Sequence, residues 1–157
     1  MTDTTITSQP GTPFIDVTRE FDASPAQVFR AYTEPELVAQ WMGPHGLEME
    51  IVEYDARPGG SYRYIHRDNE GNEYRFHGVF HTVTGSETLI QTFEWEGAPG
   101  QVSLDSAKFE DLGGRTRLRL HSVFPTVEAR DAAVASGMSR GITDSMERLD
   151  TVLAKEA

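Results

Sequence analysis

The spacing of apolar residues changes once along this chain, and that change restricts the folds open to it. From Leu47 to Phe124 the pattern is one of short alternating runs separated by turns. From Val127 to about Lys155 the apolar residues instead recur every three or four positions, through Val134, Met138, Ile142, Met146, Leu149 and Leu153, with Val152 at the edge of the stripe. The first pattern is that of half-buried strands and the second that of an amphipathic helix. One helix over 127–155 would be roughly 42 Å long. Gly137 and Gly141 fall inside it, and each costs about 1 kcal/mol against alanine in a helix interior. Two such residues one turn apart call for close packing on a sheet, room for a ligand, or a kink.

The β segments are FIDVTRE (14–20), LEMEIVEYD (47–55), SYRYIHR (61–67), EYRFHGVFHTV (73–83), ETLIQTFEWE (87–96), QVSLDSAKFED (101–111) and RTRLRLHSVF (115–124). Short Gly-, Pro- and Asn-rich turns join the last six, as in an antiparallel meander. Gly78, in mid-strand, marks a bend or bulge. Between the first two strands, Ser24-Pro25-Ala26-Gln27 has the form of a capping box with proline in the first turn. Thr33-Glu34-Pro35-Glu36 repeats the signal, and Gly43-Pro44 stops the second helix just after Trp41. The expected fold is α+β: a curved antiparallel seven-stranded sheet gripping one long C-terminal helix, with two short helices between the first two strands. A bowed sheet and a straight rod do not fit everywhere, so a space is expected between them.

At 157 residues the chain suits one domain. Residues 1–12 are expected to form a flexible tail and 13–157 a single domain. No cysteine is present, which excludes disulfide and thiolate chemistry. The formal net charge is −11, with arginines and lysines scattered among more numerous acids. A nucleic-acid binder needs a basic face, so that class of partner is excluded. The apolar runs are too short to cross a bilayer and the first residues lack the order of a signal peptide, so no membrane insertion and a cytoplasmic location are expected.

Strand parity sorts the candidates for the interior. In SYRYIHR, Arg63 and Arg67 share one face, which places Tyr62, Tyr64 and His66 on the other, inward one. Tyr74, Phe76 and Phe80 point inward on the next strand, opposite Arg75, His77 and His81. On 87–96, Gln91 and Phe93 share a face with Leu89 and Trp95, without a clear sign of which side is inside. An aromatic wall with a few polar tips suits an apolar ligand carrying one or two oriented polar groups; the alternative is a plain packed core. Trp41 is either a core anchor or part of a pocket mouth with Met42 and the Pro44-His45-Gly46 turn. Met138 is either core or pocket wall. His77 and His81 are four apart on a strand, about 13 Å, too far to share an ion, so no metal site is expected. His66 is the one candidate acid or base.

The stretches FDASPAQVFRAYTEPELVAQWMGPHG, DARPGGSYRYIHRDNEGNEYRFHGVFHTV, ETLIQTFEWE and GGRTRLRLHSVFPTVEARDAAVASGMSRGITDSMERLDTVLA resemble, in this order, the SRPBCC or START-like superfamily, the Bet v 1-like helix-grip proteins. Within it they are similar to the bacterial proteins grouped with the C-terminal domain of the heat-shock protein 90 ATPase activator. The resemblance implies an internal, mostly apolar cavity and a small hydrophobic ligand of lipid, polyketide or aromatic type, with no cofactor. It makes Trp41, Met42, Tyr62, Tyr64, His66, Tyr74, Phe76, Gln91, Phe93, Met138 and Ile142 the expected ligand contacts. Relatives often have an aromatic where this chain has Ile142, which would enlarge the pocket here. The resemblance also implies alternatives: a polyketide cyclase or dehydratase using His66, a heat-shock protein 90 accessory, and a homodimer.

Overall fold

The computed structural model describes residues 3–156. The chain runs β1 (Thr5–Thr7), β2 (Phe14–Phe21), α1 (Pro25–Thr33), α2 (Pro35–Trp41), β3 (Glu48–Tyr54), β4 (Ser61–Arg67), β5 (Glu73–Thr84), β6 (Thr88–Trp95), β7 (Ser103–Asp111), β8 (Thr116–Val123), α3 (Val127–Ala135) and α4 (Met138–Glu156). All neighbouring strands are antiparallel, in the order β1-β2-β8-β7-β6-β5-β4-β3. Among the described residues the sheet therefore has eight strands, not the seven expected. The extra one lies in the segment read as a tail, where Thr5, Ile6 and Thr7 pair with Thr18, Val17 and Asp16. Three β-branched residues meet the unpaired backbone edge of β2, and edge pairing satisfies it. Arg19 donates from Nη1 to Thr4 Oγ1 at 2.9 Å, and Arg130 from Nη1 to the Gln9 carbonyl at 3.1 Å, which ties the segment down further.

Ser24 caps α1 as its sequence implies. The Gln27 amide donates to Ser24 Oγ at 3.2 Å and the Ser24 amide donates to Gln27 Oε1 at 2.8 Å. The second signal works differently: Glu34 precedes α2 without a side-chain cap, and Thr33 instead donates back to the Phe29 carbonyl at 2.9 Å. Pro35 in the first turn and the extended backbone of Glu34 are enough to restart the helix.

The long C-terminal helix is two helices. Gly137 has φ +90°, and the amides of Ser136 and Gly137 bond back to carbonyls of α3. Left-handed backbone favours glycine and closes a helix, so Gly137 is a C-terminal stop and not a weak point in a helix interior. Gly141 has another role. It lies inside α4 on the pocket side, and a Cβ built there meets nothing within 4 Å. Gly141→Ala is therefore expected to stabilise the protein by about 0.5–1 kcal/mol through helix propensity, read as a higher urea midpoint. Gly137→Ala is expected to move the midpoint the other way.

The core joins the inner face of the sheet, through Phe21, Phe80, Leu89, Phe109 and Leu118, to α1, α2 and the C-terminal half of α4. The buried residues of α4 begin at Ser145 and include Met146, Leu149, Val152 and Leu153. The N-terminal part of α4 has none, and a gap separates it from the sheet. On the outer face the arginines of β4 are paired: Arg63 with Glu96, and Arg67 with Glu50 and Glu73. That is the side their charge requires.

Candidate functional site

Between the N-terminal part of α4 and the inner face of the sheet is a pocket of about 350 Å³. Its floor is a run of aromatic rings on three adjacent strands. Tyr64 on β4 stacks against Phe76 on β5 with ring centres 5.2 Å apart, and Phe76 against Phe93 on β6 at 5.4 Å. Trp41, Met42, Gly43 and Pro44 form the end wall, and Met138, Gly141, Ile142 and Met146 the roof.

Of the residues singled out in the sequence, Trp41, Met42, Tyr62, Tyr64, His66, Phe76, Gln91, Phe93, Met138 and Ile142 are brought together around this space. Tyr74 lies outside it. It has the parity of Phe76 but stands at the start of β5, where its hydroxyl donates to Asp68 Oδ2 in the hairpin loop at 3.3 Å. Trp41 combines the two roles left open for it. It is 2% exposed and its indole Nε1 donates to the Ala31 carbonyl at 2.8 Å, yet it also borders the pocket.

Tyr62 explains the mid-strand glycine. Its hydroxyl donates to the Thr92 carbonyl at 2.5 Å, passing over Gly78. A Cβ at Gly78 would come within 2.1 Å of that carbonyl oxygen and 2.7 Å of the Tyr62 hydroxyl. The irregularity in β5 lies further on, between Phe80 and Thr82. The Tyr64 hydroxyl has no hydrogen-bond partner among the described residues. Burial pushes its pKa far up, so it stays a neutral donor.

His66 is buried against the backbone of Gly43: a Cβ there would sit 2.6 Å from Cε1 and 2.8 Å from Nε2. Nε2 has no partner. Burial pushes the imidazole pKa down to about 4, although the Met42 carbonyl favours the protonated ring. The ring is thus neutral at neutral pH. The loop that covers it is fastened to α4. The Gly43 amide donates to Ser145 Oγ at 2.8 Å, and Arg148 donates from Nη1 to the Gly43 carbonyl at 3.0 Å and from Nη2 to the Gln40 carbonyl at 3.1 Å.

Asp105 on β7 also faces the pocket, and the sequence reading passed over it. The residue is half-buried. Burial pushes its carboxyl up to about 6, against the stabilising donations of Ser103 and Ser122. Ser103 Oγ lies 3.0 Å from Asp105 Oδ1. A signal was present in the strand. Ala107 and Phe109 are buried residues of the same parity, so Ser103 and Asp105 had to point inward with them.

The family model for activator of Hsp90 ATPase homolog 1-like proteins matches residues 22–154. The chain belongs to this family. Solved structures similar to this family member share its helix-grip fold. A protein from Rhodobacter sphaeroides is 26% identical, with 98% of this chain and 99% of that one covered and a TM-score of 0.89. One from Arthrobacter aurescens is 24% identical, with 96% and 91% covered and a TM-score of 0.89. CalU16 from Micromonospora echinospora is 19% identical, with 99% and 88% covered and a TM-score of 0.62. No curated protein matches the chain. Among the described residues of this family member, no helix is long and apolar enough to cross a membrane.

Proposed function

We propose that this protein binds a small hydrophobic molecule in the pocket between α4 and the sheet. The observation that carries this is the space itself: about 350 Å³ in the middle of the fold, floored by stacked aromatics and roofed by methionine and isoleucine. Spaces of that size and character suit a small ligand with a few fixed polar contacts. Packed interiors rarely leave so much room without a use for it. Gly141 adds to this, because a side chain there would project into the open volume.

His66 is poorly suited to acid–base work in the same pocket. Gly43 covers its Nε2, and a pKa of about 4 leaves it unable to donate a proton near neutral pH. Binding therefore stands ahead of catalysis.

Filling the pocket tests the proposal. Gly141→Phe places a ring in the open volume without touching the core of α4. It is expected to weaken capture of an apolar probe such as butylbenzene by at least tenfold in calorimetry, while the melting temperature stays near that of the wild type. A folded Gly141→Phe protein that binds the probe as before would refute the pocket as the site.

A further inference from the structure

The pocket wall contains one carboxylate and, among the described residues, no lysine or arginine. The titratable groups that share the pocket with Asp105 are Tyr62 and Tyr64 on β4, His66 at the far end of that strand and Tyr32 on α1; α4 presents Met138, Gly141, Ile142, Ser145 and Met146, none of them charged. The tyrosines stay protonated and the imidazole stays neutral, so no cation in the wall offsets the aspartate. Ser103 and Ser122 each donate to it, which holds the carboxylate in place but leaves lone pairs toward the cavity. Gln91, its cross-strand partner on β6, adds a neutral amide beside it.

An ionised carboxylate in an apolar surround gains most from a partner that brings positive charge and a hydrogen-bond donor together. A neutral donor serves it less well, and a second anion would be repelled. From this we infer that Asp105 makes the pocket selective for a hydrophobic amine, a mainly apolar molecule whose polar end is a protonated nitrogen, and that it excludes fatty-acid-like carboxylates. The formal charge of −11 on the chain favours the approach of the same class of ligand. This inference rests on the pocket being a ligand site, and its test separates the two claims.

Phenylbutylamine, phenylbutanol, phenylbutyrate and butylbenzene share one skeleton and differ at one end. Calorimetry on the full chain at neutral pH is expected to rank them amine, alcohol, carboxylate, with the amine at least tenfold tighter than the carboxylate. Asp105→Asn is expected to cost the amine at least tenfold more than it costs butylbenzene. A readout on the unaltered protein supports the variant: affinity for the amine is expected to fall as pH drops through about 6, where Asp105 takes up its proton, while that for butylbenzene stays level. Phenylbutyrate binding as tightly as phenylbutylamine overturns the inference and leaves the pocket intact as a site. So does an amine affinity indifferent to both Asp105→Asn and pH. If none of the four binds, butylbenzene included, the ligand-binding proposal falls and this inference with it.

Discussion

Trp41→Ala is expected to lower the stability of the protein by about 3–5 kcal/mol, the range for removing a large buried aromatic. The indole is 2% exposed and its ring centre lies 4.7 Å from that of Tyr32. Truncation removes this packing and also orphans the Ala31 carbonyl, which accepts the indole N–H at 2.8 Å. Domains of this kind have only about 5–15 kcal/mol in hand, so the variant sits close to unfolding. Trp41→Phe separates the contributions. It keeps a ring against Tyr32 and loses the hydrogen bond, for an expected cost of about 1–3 kcal/mol. Urea denaturation of the three proteins checks both values. A loss below 1 kcal/mol for the alanine variant would mean that Trp41 is a pocket residue and not an anchor.

The second large effect is a pair of opposed pH dependences. His66 has a folded pKa of about 4 against an ordinary value of 6.5, so the unfolded chain takes up that proton first. Its neutral burial stabilises the fold above pH 6.5, and this is lost as pH falls from 6.5 to about 4. Asp105 runs the other way, with a folded pKa of about 6 against 3.8. Its contribution is full below pH 3.8 and is lost as pH rises through about 6. Each gap corresponds to about 3 kcal/mol. In the wild type the two nearly cancel between pH 4 and 6. Removing one exposes the other: the stability of His66→Gln is expected to rise relative to wild type as pH falls through this window, and that of Asp105→Asn to fall. Denaturation midpoints collected across pH 4–7 measure the difference directly. Parallel profiles for all three proteins would refute the burial assigned to both groups.

Much of the frame can be read from the sequence because its signals are local. Alternation with paired turns marks the seven longer strands, and Ser24 and Gln27 announce the start of α1. Two features escape for physical reasons. The strand at Thr5–Thr7 is too short to show a period and owes its existence to an edge formed far along the chain by β2. The break at Gly137 is hidden because Val134 and Met138 keep helical spacing across it, so the apolar stripe runs on while the backbone does not. The pocket was partly legible for a similar reason. Arg63 and Arg67 force Tyr62, Tyr64 and His66 inward, and that needs no knowledge of the rest of the chain. Asp105 was missed because a carboxylate on an inner face contradicts the rule that sorts the others. Only its neighbours Ala107 and Phe109 reveal the side it takes.

The left-handed glycine between α3 and α4 has a mechanical consequence. Below it, α4 is moored from Ser145 onward by buried side chains and by the bonds of Ser145 and Arg148 to the Gly43 loop. Next to the glycine, the first turn of α4, carrying Met138 and Gly141, has no buried residue to hold it down. On the proposed binding role, this turn is the part of α4 whose displacement costs least buried contact, so it is where a guest is expected to be admitted.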